Sequence, residues 1–198
     1  MANWASTAYA VEGPKEVLEK IEQAILHPDI QEDSDEHWEG NVLRALGIKW
    51  NDRKPDGTGD YLRGFLNGEE PWWDKDGTVL RFDAEEAWGA TDFHEILERN
   101  IPNIKVFYIV EEEGEEVYAT NDKEGKYFPD RYWVDTAVQG NFQSDYFIEE
   151  SNIYDWLSKI TNGAVQSEKD IKDFNTYYED LGDDDDNFIR IHKFDIID

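Results

Sequence analysis

The sequence predicts an α+β fold in which an antiparallel or mixed sheet is covered by helices. Short runs rich in β-branched and aromatic residues alternate with stretches whose apolar residues recur every three or four positions. Hydrophobic residues make up 39% of the 198 residues and aromatic residues 14%, which is enough to build a core. Disordered acidic chains are poor in aromatic residues, so the composition predicts a folded protein, with one elaborated domain over residues 1–198.

The first half of the chain is predicted to hold most of the sheet. Residues 4–11 form a strand that ends at Gly13-Pro14, and a helix follows with Leu18, Ile21 and Ala24 on its apolar face. A short helix is expected at residues 38–46. Strands are expected at 61–66 and 78–82, on either side of a loop at 67–77.

The pattern continues through the second half. Thr91 is predicted to cap a third helix, and a hairpin with its turn at Gly114 joins strands at 104–110 and 117–120. A further strand is expected at 131–138. Ser151 and Ser167 are predicted to cap two C-terminal helices, the second of which ends at Gly182, and residues 188–194 form a last strand.

This order of elements predicts a known arrangement. From residue 4 to 110 the chain reads strand, helix, short inserted helix, strand, strand, helix, strand, which is the split βαβ or ferredoxin-like order. The extra hairpin and the C-terminal helices would elaborate it. Residues 78–194 could satisfy the same order, so the sequence leaves open which half supplies the ferredoxin-like core.

The charge of the chain indicates what kind of partner it meets. There are 47 acidic and 19 basic residues, a net charge of −28, and the excess is spread over the whole chain. Residues 1–100 carry 23 acids and 10 bases, and residues 101–198 carry 24 acids and 9 bases. Self-repulsion on this scale opposes folding, so the charge serves solubility or presents a negative field to a positive partner. A surface adapted to high salt would explain it without a partner.

The sequence lacks the residues that several classes of function require. There is no cysteine, and no EF-hand loop, zinc-binding helix or phosphate-binding glycine loop can be aligned. His94 and His192 are interpreted as structural, and His27 and His37 flank an acidic loop. We therefore expect no catalytic residue, no metal and no cofactor. No segment is long and apolar enough for a membrane, and no leader is recognised, so we expect a cytoplasmic protein.

Short motifs along most of the chain resemble one family. The chain resembles the YubB-like ferredoxin-domain proteins of plasmids, phages and integrated elements, on the following segments: Ala2-Asn3-Trp4, the region of Trp88, residues 108–114, Thr120-Asn121-Asp122, Gly125 and Tyr127-Phe128. The resemblance implies a ferredoxin-like fold and a mobile-element setting. It implies no activity, because the family has no established catalytic residues.

The leading hypothesis is a non-enzymatic acidic protein that mimics nucleic acid and occupies a basic surface of a DNA- or RNA-binding partner, without binding nucleic acid itself. Carboxylates on helices or strands can lie at spacings of roughly 5 to 7 Å, which imitate phosphates. The predicted partner-binding residues are Glu111, Glu112, Glu113, Glu115, Glu116, Asp170, Asp173, Glu179, Asp180, Asp183, Asp184, Asp185 and Asp186.

Trp72 and Trp73 complete the predicted partner-binding set and support a rival hypothesis. Adjacent tryptophans beside Glu69, Glu70 and Asp74 could stack on a sugar or anchor in a partner's pocket. The rival is therefore a carbohydrate-binding or carbohydrate-active protein. One tryptophan in the core and one at the surface is the plainer interpretation, and an acidic scaffold without a ligand is a third possibility.

Overall fold

A computed structural model describes residues 3–32, 34–67, 70–183 and 186–197. Among these residues there are five helices and two sheets, one of them mixed, which confirms the predicted α+β class. Contacts divide the chain into two compact units, Met1–Lys123 with Ile196–Asp198, and Glu124–Asp195. The sequence predicted one elaborated domain because 198 residues fit one domain better than two. Each unit has its own hydrophobic core.

The first unit is built on the larger sheet, whose strand order is β10-β6-β5-β1-β4-β2, with β3 also paired to β4. Three helices, α1 (Lys15–Leu26), α2 (Glu39–Ala45) and α3 (Phe93–Asn100), connect its strands. The strands are β1 (Trp4–Glu12), β2 (Gly64–Leu66), β3 (Trp72–Trp73), β4 (Val79–Ala87), β5 (Lys105–Glu112), β6 (Val117–Thr120) and β10 (Asp195–Ile196).

Strand β1 lies at the centre of this sheet. It pairs antiparallel with β4, from Trp4 opposite Ala87 to Glu12 opposite Val79, and antiparallel with β5 on its other side. Helix α1 lies in the connection from β1 to β2, and α3 in the connection from β4 to β5. The apolar face predicted for α1 is buried, since Leu18, Ile21 and Ala24 all join the core.

The second unit contains a three-stranded antiparallel sheet and two helices. The strands are β7 (Tyr132–Val138), β8 (Asn141–Phe147) and β9 (Phe188–Lys193), in the order β8-β7-β9, and the helices are α4 (Glu150–Ile160) and α5 (Glu168–Leu181). Because β7 and β9 form this separate sheet, the alternative ferredoxin-like register over residues 78–194 is not formed. The core of the unit includes Val134, Ile153, Leu157 and Ile189.

Two predicted helix caps are wrong. The N-cap residue of α3 is Asp92, one position after Thr91, and the hydroxyl of Thr91 lies among buried carboxylates instead. Helix α4 begins at Glu150 with Glu149 as its N-cap, so Ser151 lies inside the helix. Strand β3 forms within the predicted loop 67–77, where its two residues pair with Arg81 and Leu80 of β4. Strand β8 was not predicted.

Candidate functional site

The acidic turn between β5 and β6 contains carboxylates of two kinds. Glu112 is buried, and its carboxylate accepts hydrogen bonds from the N–H groups of Gly114 and Glu115, both at 2.7 Å. Glu112 therefore stabilises the turn and does not face solvent. Glu111 is half-buried and has contacts of its own. The residues of the predicted set that the turn does expose are Glu113, Glu115 and Glu116.

Helix α5 begins at a well-formed cap. The Ser167 hydroxyl accepts a hydrogen bond from the Asp170 N–H at 3.3 Å and donates to the Asp170 carboxylate at 2.7 Å, and the Gln166 N–H also donates to that carboxylate. These bonds, the Ser167 hydroxyl first, lower the pKa of Asp170. Asp170, predicted to contact a partner, thus has a local structural role.

Asn175 of α5 makes two hydrogen bonds to strand β9. Its side-chain oxygen accepts the Ile189 N–H at 2.9 Å, and its Nδ2 donates to the Ile189 carbonyl at 2.8 Å. The helix ends at Gly182, which adopts a left-handed conformation with φ of 67°. The second serine cap and the glycine stop of the sequence prediction are therefore confirmed.

The exposed surface of α5 carries both carboxylates and apolar side chains. No residue of α5 is fully buried, and Tyr177 and Leu181 are each 60% exposed. Asp173 forms an ion pair with Lys169. The side chains of Glu179 and Asp180 make no ion pair or hydrogen bond with any residue that the structure describes. We call Tyr177, Glu179, Asp180 and Leu181 the α5 patch.

The run of four aspartates follows this helix. The carboxylate of Asp183 accepts a hydrogen bond from Nδ2 of Asn187 at 3.0 Å. Asp186 is exposed, and its carbonyl accepts the Gly140 N–H at 2.9 Å. Asp184 and Asp185 lie outside the described residues.

The tryptophan pair of the rival hypothesis is divided between surface and core. Trp72 is 43% exposed. Trp73 packs against the core, and its Nε1 donates to the Glu22 carboxylate at 2.6 Å. Asp74 accepts hydrogen bonds from Thr78 within the following turn, and Glu69 lies outside the described residues. The pair therefore offers one exposed ring for stacking.

The most unusual polar group in the first unit is a pair of buried glutamates, which the sequence analysis missed. Glu39, the first residue of α2, and Glu86 on β4 are both fully buried. Oγ1 of Thr91 lies 2.7 Å from Oε1 of Glu86 and 3.1 Å from Oε2 of Glu39, and the Tyr9 hydroxyl donates to Glu86 at 2.7 Å. The Gly64 N–H donates to Glu39.

Burial and the charge of Glu86 raise the pKa of Glu39 well above its ordinary value. A hydrogen bond between the two carboxyl groups raises it further. Oε2 of Glu86 receives no hydrogen bond from the N–H and O–H groups of the described chain, so a proton held on Glu39 supplies the missing donor. Because both side chains are closed off from solvent, we assign this pair a structural role and no catalytic one.

Two of the four histidines, His94 and His192, lie in structural environments. His192 Nε2 is 2.9 Å from Oδ1 of Asp135, and its ring stacks on Trp133. His94 Nδ1 is 2.8 Å from the Thr91 carbonyl. Within the part of the chain that the structure describes, no three histidine, aspartate or glutamate side chains are grouped so that they could hold a metal ion.

Comparisons with known proteins add no further assignment. No family model, curated protein or solved structure matches the chain. In the described ranges, none of the helices has the length and apolar character needed to cross a membrane.

Proposed function

We propose that this protein is a non-enzymatic acidic binding protein that occupies a basic, nucleic-acid-binding surface of a partner protein. The observation that carries the proposal is the α5 patch, where the last five residues of the helix present two unpaired carboxylates and two exposed apolar side chains. Aromatic side chains dominate the binding energy of many interfaces, and the surrounding carboxylates would select a basic partner.

The position of these acids within the helix supports a role in binding. Glu179 and Asp180 lie in the last turn of α5, which has no basic residue. The C-terminal end of a helix carries partial negative charge, so an acid there costs about 0.3–1 kcal/mol of stability. Carboxylates placed against the helix dipole do not serve the fold, which favours a function outside it.

The spacing of charges along α5 is compatible with mimicry of nucleic acid. The helix rises 1.5 Å per residue, so the span from residue 168 to residue 180 measures about 18 Å. Five acids lie on this span: Glu168, Asp170, Asp173, Glu179 and Asp180. These five acids enclose four intervals, so their mean spacing along the helix axis is about 4.5 Å, of the same order as the roughly 3.4 Å per phosphate along one DNA strand. Lys169 and Lys172 offset the negative charge in the N-terminal half of α5. The C-terminal half would therefore make the main contact with the partner.

The proposal includes the fold and the setting of the protein. We propose that the first unit is ferredoxin-like, and the antiparallel order β5-β1-β4-β2 supports this, because α1 and α3 then each connect two strands that are separated by a third. The resemblance to the YubB-like family supports a mobile element as the source and the cytoplasm as the place of action.

The test is partner capture from host lysate with the full chain as bait, identified by mass spectrometry. We expect a basic partner that is released at a few hundred millimolar salt and is displaced by duplex DNA, since both compete for one surface. The variant Glu179→Gln/Asp180→Asn should capture at least five-fold less of it. The control Glu16→Gln/Glu32→Gln changes two exposed acids of the first unit and should capture the same amount. A partner indifferent to salt and DNA would refute the proposal.

A further inference from the structure

Arg63 lies between two exposed tryptophans in the first unit. Its guanidinium carbon is 5.2 Å from the ring centroid of Trp88 and 6.0 Å from that of Trp4. The two indoles are 47% and 43% exposed. A guanidinium group stacked on a ring keeps the N–H groups of its edge available for planar, two-point hydrogen bonding to an anion.

Further aromatic and arginine side chains continue from this group. The Trp4 ring is 5.5 Å from Phe65, and Phe65 lines a cavity of about 380 Å³ with Trp38 and Arg44. The Arg44 guanidinium lies 4.9 Å from the Trp38 ring centroid. Asp35, Gln31 and Ser34 supply polar atoms at the same cavity. Rings and guanidinium groups therefore alternate along one surface.

The two arginines of this surface, Arg44 and Arg63, are the ends of the stretch of chain that opposes the overall charge. Residues 44–63 contain five bases and three acids, a net charge of +2 within a chain of −28. Of these acids, Asp60 is already bound to Arg99, with a contact of 2.7 Å. Arg63 forms no ion pair with a carboxylate of the described residues. Its side chain hydrogen-bonds with Tyr61, a neutral partner, so the positive charge of Arg63 is not neutralised and can attract an anion.

Trp88 is held in this position at a conformational cost. Its φ of 61° lies in the left-handed region, which a bulky side chain adopts rarely. Its N–H donates to the Asn3 carbonyl at 2.9 Å, and this bond helps to fix the backbone. Strained residues that the surrounding structure maintains are often found at binding sites.

We propose that Trp4, Arg63 and Trp88 form a binding site for a free nucleotide. The guanidinium edge of Arg63 binds the phosphate, and an exposed indole face stacks on the base, which is how proteins hold unpaired bases. The net charge decides between a free nucleotide and a strand, because a field of −28 repels a polyanion far more than a ligand with one phosphate. This site is separate from the α5 patch.

The test is a titration of the intact chain with adenosine 5′-monophosphate, followed by calorimetry and by tryptophan fluorescence at physiological salt. We expect saturable binding, with adenosine and inorganic phosphate each at least ten-fold weaker, because each lacks one of the two contacts. A ten-residue deoxythymidine strand should bind no more tightly per site than the mononucleotide. Tighter binding of the strand would overturn the choice of ligand.

Variants separate the site from general charge effects. Arg63→Gln should weaken binding at least ten-fold, and Lys20→Gln, which removes one exposed base from α1, should change it less than two-fold. Trp88→Asn should also weaken binding ten-fold and should keep the melting temperature, because asparagine tolerates a left-handed backbone. No binding of the mononucleotide, or equal binding by Arg63→Gln, would overturn the proposal.

Discussion

The carboxyl groups of Glu39 and Glu86 meet at the hydroxyl of Thr91, although 47 positions separate the two residues in the chain. A hydroxyl has one proton and can donate it to only one carboxylate. The hydrogen bond between the carboxyl groups of Glu39 and Glu86 also needs a proton, which Glu39 supplies when it is protonated. Ionising both carboxyl groups of one buried site costs far more free energy than ionising them in water. At neutral pH the folded first unit therefore holds a proton that the unfolded chain has already released.

The buried proton predicts how stability depends on pH. The pKa of Glu39 is raised in the folded state, so its protonation stabilises the fold. This contribution to the free energy of unfolding is complete below the unfolded pKa of about 4.3 and is lost as the pH rises towards the folded pKa. Asp60 and Asp74, whose pKa values are lowered by hydrogen bonds from Arg99 and Thr78, titrate below this window. We expect a higher melting temperature at pH 5.5 than at pH 8, with a slope of at most about 3–5 °C per pH unit because a single proton is involved, measured by scanning fluorimetry.

A variant assigns this slope to the buried pair. Glu39→Gln cannot ionise, and its amide can donate to Glu86, so the difference in its melting temperature between pH 5.5 and pH 8 should shrink to the part that comes from exposed carboxylates. Glu179→Gln removes an exposed acid and should keep the slope of the unmodified chain. An unchanged slope in Glu39→Gln would show that the buried proton is not its source.

Added salt should separate the surface contribution from the buried one. Repulsion among exposed carboxylates is screened within about 10 Å at 0.1 M salt, and buried groups are screened much less. We expect monovalent salt to raise the melting temperature at pH 8 more than at pH 5.5, so that the gap narrows and the part that depends on Glu39 remains. A fall in melting temperature at pH 8 on adding salt would mean that the exposed acids are mostly paired.

Gly64 is required by its contact with Glu39. A Cβ at this position would lie 2.3–2.6 Å from the carboxyl atoms of Glu39, closer than atoms can approach. We expect Gly64→Ala to lower the free energy of unfolding by about 1–3 kcal/mol in urea. In a Glu39→Ala background the added methyl has room, so the same change should cost less. Equal costs in both backgrounds would contradict the contact.

We expect the Asn175 side chain to stabilise the second unit. Asn175→Ala removes two hydrogen bonds to the backbone of Ile189, a buried residue, and we expect a loss of about 1–3 kcal/mol of stability. Amide hydrogen exchange at Ile189 should accelerate in the variant. Thr176→Ala, which changes the neighbouring exposed residue, should leave that exchange rate unaltered.

Local signals in the sequence predicted the elements well. Leu18, Ile21 and Ala24 recur at helical spacing and are buried, and Ser167 and Gly182 bound α5 as expected. These features depend on residues a few positions apart, which interact in any context.

Features that depend on distant contacts could not be predicted. The neighbours of Glu39 in the sequence are typical of an exposed acid on a helix. Glu39 becomes buried and protonated only because β4 and Thr91 pack against it. Thr91 has a good capping side chain, but its hydroxyl lies between the carboxyl groups of Glu86 and Glu39, and Glu39 is 52 positions away in the chain. Strand β8 lacks the apolar alternation of a strand because six of its seven residues, all but Phe147, are not buried.

Strand β8 lies at the end of its sheet, and no further strand pairs with its outer edge among the residues described here. Such an edge, which carries Phe142 at 63% exposure, is a template on which a second molecule can add a strand. Two molecules that approach in this way each carry a charge of −28, so the acidity of the chain keeps its copies apart. Near the isoelectric point of about 4.2 this barrier disappears, and the exposed edge of β8 is then no longer protected by charge.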